Sequence, residues 1–275
     1  MEQKQRKILS IGAHPDDADT SPSGLLLKLK DAGWDIRLLS ITDGSAGTYR
    51  TELPRSEVAL KRRSEAAASG RLLGCRYDVL DQPDGQLMPT LENREMLIRY
   101  IRSYKPDVIV TNRPNDYHAD HRNTALLVQD ASFLLTVPKI CQDTPYLEHT
   151  PTILFWSDDF KLPYPFRSDI VVPIRAERIE QLTQLASCHE CQYFDWMYWP
   201  DHLEKISWSR EEQVADLKAR FTRGAERRRE AMDAYLVERY GKEQAAAIDY
   251  VSCFEISEYG EDPTEEFLSI VEKPE

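Results

Sequence analysis

The sequence predicts an α/β fold: a Rossmann-like three-layer sandwich around a mostly parallel sheet, followed by a mainly helical C-terminal extension. Three observations predict it. An apolar run at 8–13, a helical run at 25–30 and a second apolar run at 35–42 make a β–α–β opening, which implies parallel strands joined by a right-handed crossover. Further short apolar runs bounded by turn residues alternate with helical stretches along the chain. Two charged clusters, His14-Pro15-Asp16-Asp17 and His118-Ala119-Asp120-His121, each follow such a run, at the strand ends where open α/β sheets bind ligands.

In order, Pro15 stops the first strand because it has no N–H to donate. Gly33 is placed to end the first helix, and Asp43 to Tyr49 forms a Gly-containing loop after the second strand. Residues 55–73 are rich in helix formers and end at Gly74. A short strand is expected at 77–80, a Pro/Gly loop at 82–90 and a helix at 91–104, which Pro106 breaks. Residues 107–111 are the next strand, His121 falls in the loop after it, and 122–135 is helical. Strands at 153–156 and 170–174, a helix at 176–186, one long charged helix at 209–239 and a last strand or loop at 250–257 complete the chain. Residues 1–200 read as the main domain. Residues 201–275 read as an extension packed on it or at an oligomer interface.

The 275 residues suffice for one large core, and the net charge of −12 disfavours binding to nucleic acid or anionic membrane. No apolar run is long enough to span a bilayer, and no signal peptide is recognised. Five scattered cysteines argue for free thiols in a reducing, cytoplasmic setting. Cys188 and Cys191 lack a second CxxC pair, so they read as structural thiols, and His189 as structural or at a pocket rim. Arg62 or Arg63 reads as a partner of Glu65 or neighbouring residues on a solvated helix, and Arg227 to Arg229 as a solvated face. For Asp158 and Asp159 loop capping is the default. The aromatic run 193–199 fits sugar stacking, a subunit interface or core packing, with nothing local to decide.

His and Asp are ordinary zinc ligands, and a catalytic zinc keeps three protein ligands and an open position. Taken singly, each cluster has a plain alternative: the aspartates cap a helix, or HxDH sits on a surface loop. Together they hold three of the six histidines, each cluster directly after a strand. Strand ends on one sheet edge can converge on a single ion, leaving a spare carboxylate and a spare imidazole for a base and an oxyanion donor.

Ala13-His14-Pro15-Asp16-Asp17 with His118-Ala119-Asp120-His121 resembles the PIG-L/LmbE-like zinc-dependent de-N-acetylases. Thr42-Asp43-Gly44, Arg62 to Glu65, Pro106 to Val110 and His189-Glu190-Cys191-Gln192 resemble further family segments, the last with Cys191 in place of a serine. The resemblance implies the LmbE-like form of the fold, with Zn2+ (or Fe2+ or Mn2+) held by His14, Asp17 and His121. It implies Asp16 as the general base that activates water, and His118 as the oxyanion stabiliser oriented by Asp120. It further implies removal of an N-acetyl group from an amino-sugar or related small molecule, and a homo-oligomer, trimer or hexamer. Hydrolysis of another amide or ester, and a metal-retaining binding protein without turnover, are the rival readings. Asp19, where the family often has Glu, and the turn 20–24 depart from the pattern.

Overall fold

The computed structural model describes residues 5–199 and 207–275. Its sheet has seven strands in the order β3-β2-β1-β4-β5-β7-β6. They are β1 (Lys7–Gly12), β2 (Asp35–Thr42), β3 (Arg76–Gln82), β4 (Val108–Thr111), β5 (Thr152–Trp156), β6 (Ile170–Ile174) and β7 (Tyr250–Ile256). The first five in that spatial order run parallel, with Ile8 paired to Ile36 on one side and to Val108 on the other. The two flanks of β1 are therefore filled by strands from different crossovers. The crevice beyond the carboxyl ends of β1 and β4 is the topological switch point of the sheet.

Helices cover both faces: α1 (Asp17–Thr20), α2 (Ser23–Asp31), α3 (Arg55–Leu73), α4 (Leu91–Tyr104), α5 (Ala119–Ser132), α6 (Glu177–Ser187), α7 (Arg210–Ala231), α8 (Asp233–Ala247) and α9 (Glu265–Val271). β1 alternates between two apolar cores. Ile8 packs with Leu25, Leu26 and Phe267, while Leu9 and Ile11 pack with Leu97, Ile101 and Leu127. This two-sided burial explains why Ile8, Leu9 and Ile11 are apolar on both faces of the strand, with Ser10 buried by its bond to the Ala18 carbonyl.

The strands at 35–42 and 170–174 and the helices at 55–73 and 91–104 lie where the sequence predicts. Gly74 ends α3 in the left-handed conformation at φ 76°. Two elements differ, and the last strand takes an unexpected place. The helix expected from 122 begins at Ala119, because His118 is its N-cap, so Asp120 and His121 stand in its first turn and not in a loop. The long helix expected at 209–239 is two, α7 and α8, which break at Met232 (φ −100°, ψ 6°). The last strand, β7, runs antiparallel between β5 and β6, so the segment after 206 contributes to the same sheet. Among the described residues, no helix is long and apolar enough to cross a membrane.

Gly12 sets the sharpness of the turn after β1. A Cβ there would stand 2.5 Å from the Asp17 Cβ and 2.9 Å from the Ala18 nitrogen. Gly12→Ala is expected to cost about 1–3 kcal/mol, seen as a lower denaturation midpoint at unchanged slope. An unchanged midpoint would mean that the turn accommodates the methyl group without strain.

Candidate metal centre

Four loops meet at the carboxyl edge of the sheet, after β1, β2, β3 and β4. The turn after β1 is fixed by Asp17, whose carboxylate accepts from the Ala13 and His14 backbone N–H groups at 3.0 and 2.9 Å. Asn112, just past β4, also accepts from the Ala13 N–H, at 3.2 Å, and so ties the two strand ends together. His118 caps α5 through its own side chain, with Nδ1 accepting from the Asp120 N–H at 3.2 Å.

This brings His14, Asp17 and His121 together. His14 Nδ1 lies 3.2 Å from His121 Nε2, and Asp17 Oδ2 lies 3.6 and 3.5 Å from those two atoms. Ligand atoms about 2.0–2.1 Å from a tetrahedral ion are separated by about 3.3–3.4 Å, so the triangle has the size of one face of such a site. The far ring nitrogens face carboxylates. His121 Nδ1 meets Asp116 at 2.9 Å, and His14 Nε2 faces Asp84 at 3.2 Å and Asp120 at 3.5 Å, in line with neither. The carboxylate bonded to His121 Nδ1 fixes the tautomer that leaves Nε2 free to ligate. Two such nitrogens facing each other at 3.2 Å is an arrangement that a cation between them relieves. The donor set therefore fits a metal ion.

Two other groupings contain His14. His14, His118 and His121 can each bring a ring nitrogen within 4.8 Å of the others, and so can His14, Asp84 and Asp120 with their ligand atoms. In the second, the carboxylates address the far nitrogen of His14 and orient it. In the first, Nδ1 of His118 is already taken by the Asp120 N–H, so a neutral His118 carries its proton on Nε2.

The electrostatics follow from burial among opposite charges. Burial alone would lower the His14 pKa, but Asp120, Asp17 and Asp84 outweigh it and hold the imidazole well above its usual value. Burial would raise Asp17, yet His121 and His14 pull it far below the ordinary carboxylate range. Asp84 is brought to about 2, where His14 overcomes its burial. His118 is lowered by burial and by the neighbouring imidazoles, which favours its neutral form.

Asp16 is buried and does not cap α1; its Oδ1 accepts from Arg62 Nη2. Burial raises its pKa, partly offset by the Arg62 charge. Arg62 thus corrects one sequence reading. It is 2% exposed, reaches back to Asp16 and not to Glu65, and lies against the loop after β2, where a Cβ on Gly47 would be 2.5 Å from Nη1. Glu65 instead accepts from the Cys191 N–H at 3.1 Å.

Asp120 corrects another. Its carboxylate accepts from the Gly85 and Leu87 N–H groups, at 2.7 and 3.2 Å, and faces His14; it contacts His118 only through its backbone N–H. The reason is that α5 starts at Ala119, which turns the Asp120 side chain toward the loop after β3.

The sequence reading missed Asp84 and Asp116, which hold the two imidazoles, and Tyr117, whose exposed ring meets the rings of His118, His121 and Phe160 edge-on or tilted at 5.7–6.2 Å. Asp116 sits two residues before His118, a spacing that could have marked it; Asp84 has no local signal. Asp19 and His189 are fully buried and paired at 2.7 Å. All five cysteines are free, and Asp158 both caps its loop and pairs with Arg113 at 2.8 Å. The aromatic run divides. Phe194 and Tyr198 enter the core, while Trp196 and Trp199 stack on Tyr49 of the loop after β2, with ring centroids 4.0 and 5.4 Å apart.

Fold and site define a Rossmann-like α/β protein with a buried His/Asp cluster, able to hold a metal ion, at the sheet's switch point. Residues 9–132 match the model of the PIG-L (GlcNAc-PI de-N-acetylase) family. A diacetylchitobiose deacetylase from Thermococcus kodakarensis is 35% identical over 133 residues, 46% of this chain and 50% of that protein. The match therefore spans about half of that relative's length. The structure of N,N'-diacetylchitobiose deacetylase from Pyrococcus horikoshii superposes with TM-score 0.67 at 26% identity, over 93% of this chain and 85% of that one. GalB, the 4-carboxy-2-hydroxymuconate hydratase from Pseudomonas putida, also gives TM-score 0.67, at 16% identity over 95% and 99% of the two chains, a likeness of fold alone.

Proposed function

We propose that the protein is a metal-dependent hydrolase that removes the acetyl group from an N-acetylated amino-sugar or related small molecule. The observation that carries this reading is the triangle of His14 Nδ1, His121 Nε2 and Asp17 Oδ2, with edges of 3.2–3.6 Å, inside a segment that matches a de-N-acetylase family. His14, Asp17 and His121 would hold the ion, with zinc the first choice for a set of two imidazoles and a carboxylate. When bound, it supplies a Lewis acid and lowers the pKa of water.

The remaining steps fall to the chain's own side chains. Asp16, held by Arg62, takes a proton from water as its oxygen attacks the acetyl carbon. His118, neutral and with Nδ1 occupied, donates from Nε2 to the developing oxyanion. The C–N bond then breaks. Asp16 returns its proton to the departing nitrogen, giving acetate and a free amine.

The test is acetate release by metal-replete protein across a panel of N-acetyl-amino-sugars, other N-acyl amides and acyl esters. Turnover confined to N-acetyl-amino-sugars is expected. Turnover confined to the other acyl compounds would reassign the substrate. Metal binding with no turnover on any member would favour a binding protein.

Asp116 has a separable role. It accepts from the His118 N–H at 2.7 Å and holds His121 Nδ1. Asp116→Ala is expected to weaken metal affinity about 10–100-fold, read by competition with a chromogenic chelator. Equal affinity would remove Asp116 from the site.

A further inference from the structure

Arg228, on α7, lines a cleft against β7 without a side-chain partner among the described residues. It is exposed, and among the described residues its guanidinium makes no side-chain hydrogen bond and no ion pair within 4.0 Å, with the Asp159 carboxylate acting on it only at longer range. Its neighbour Arg229 is fully used, donating to the Ile248 and Ala245 carbonyls and pairing with Asp233. Arg228 stands between two adjoining chambers of about 240 and 190 Å³, which share Ser157, Arg228 and Cys253 as wall.

The larger chamber has the chemistry of an anion cradle. Ser21, Ser157 and Ser252 line it, and among the described residues none of their hydroxyls has a protein partner. Thr20 and Tyr193 form the wall toward the Asp16 turn; the Thr20 hydroxyl donates to the Asp16 carbonyl and accepts from Tyr193 at 3.1 Å. Leu182 and Phe221 supply an apolar side. The carboxylates are on the other side. Asp158 and Asp159 line only the smaller chamber, and Asp158 is occupied by Arg113. A guanidinium and three free hydroxyls around one space, in a chain of net charge −12, are groups that bind carboxylate or phosphate oxygens well and cations poorly.

We propose that this cleft between α7 and β7 binds a small molecule through an oxyanion, a carboxylate or phosphate group, with Arg228 as the charge partner. The site is distinct in its residues from the His14 cluster, and the proposal does not depend on hydrolysis.

The test is calorimetric titration of the full-length, metal-replete protein with inorganic phosphate, and separately with acetate, at low ionic strength. Saturable binding to one site is expected for at least one of them, weakened at least about tenfold by Arg228→Met and less by Ser252→Ala. Arg227→Met, which removes a neighbouring charge outside the cleft wall, is expected to leave it unchanged. Melting curves check that each variant is folded. An oxyanion held at the His14 cluster would still bind to Arg228→Met, so an affinity unaffected by that change overturns the proposal. Absence of saturable binding of both ions to the wild type overturns it as well.

Discussion

Asp16→Asn is expected to lower acetate release by roughly 10²–10⁴-fold in protein that still folds and still binds its metal ion. The substitution keeps the shape of the side chain and an oxygen for Arg62, but removes the group that takes up the proton. The contact matters because Arg62 is 2% exposed and its Nε has no partner. A change that left this guanidinium unpaired would cost about 3–5 kcal/mol, and Asp16→Ala would confuse lost chemistry with lost fold. Arg62→Met tests the other half of the pair. It removes the cation that offsets the burial of Asp16, and its effect should fall on kcat more than on metal content. If Asp16→Asn retains wild-type turnover on a working substrate, the proton acceptor is another group and the mechanism above is wrong.

The legibility of this site divides along the reach of its contacts. His14, Asp16 and Asp17 could be singled out because they follow a two-sided buried strand, and both the strand and the turn are local features. The helix at 55–73 was legible for the same reason, from its helix formers and Gly74 after it. Arg62 was misread because Glu65, three residues on, offered a local partner on the same helix. Its true partner comes from a strand end 46 positions away. Asp84 reaches His14 from the loop after β3, and nothing within ten residues of it announces that. β7 is the extreme case. Its place between β5 and β6 depends on pairings such as Leu154 with Ile256, which no local pattern encodes. The role of Asp120 turned on where α5 begins, and a helix boundary three residues earlier than expected was enough to redirect its carboxylate.

Removing the ion should be the most disruptive single change to the protein as a whole. The cluster buries Asp17, Asp84, Asp116 and Asp120 around two imidazoles, and four carboxylates outnumber the two positive charges that protonated His14 and His121 can supply. A divalent cation, which binds once both imidazoles are neutral, puts two positive charges at the centre of those carboxylates in place of the displaced protons. Present at about 1,000 times its dissociation constant, it would add about 4 kcal/mol to folding stability, or about 10 °C in Tm for a chain of this size. Chelator treatment of the wild type is therefore expected to lower Tm by about that amount and abolish acetate release, and Zn2+, Fe2+ or Mn2+ added back should restore both to different degrees. His121→Ala removes one edge-forming nitrogen and leaves Asp116 without its imidazole. It should bind less than one equivalent of metal and show a Tm that chelator no longer shifts. The two measurements check each other, since a structural defect alone would lower the Tm of His121→Ala without making it blind to chelator. A wild-type Tm indifferent to chelator, together with one full equivalent of metal on His121→Ala, would mean that the ion sits elsewhere.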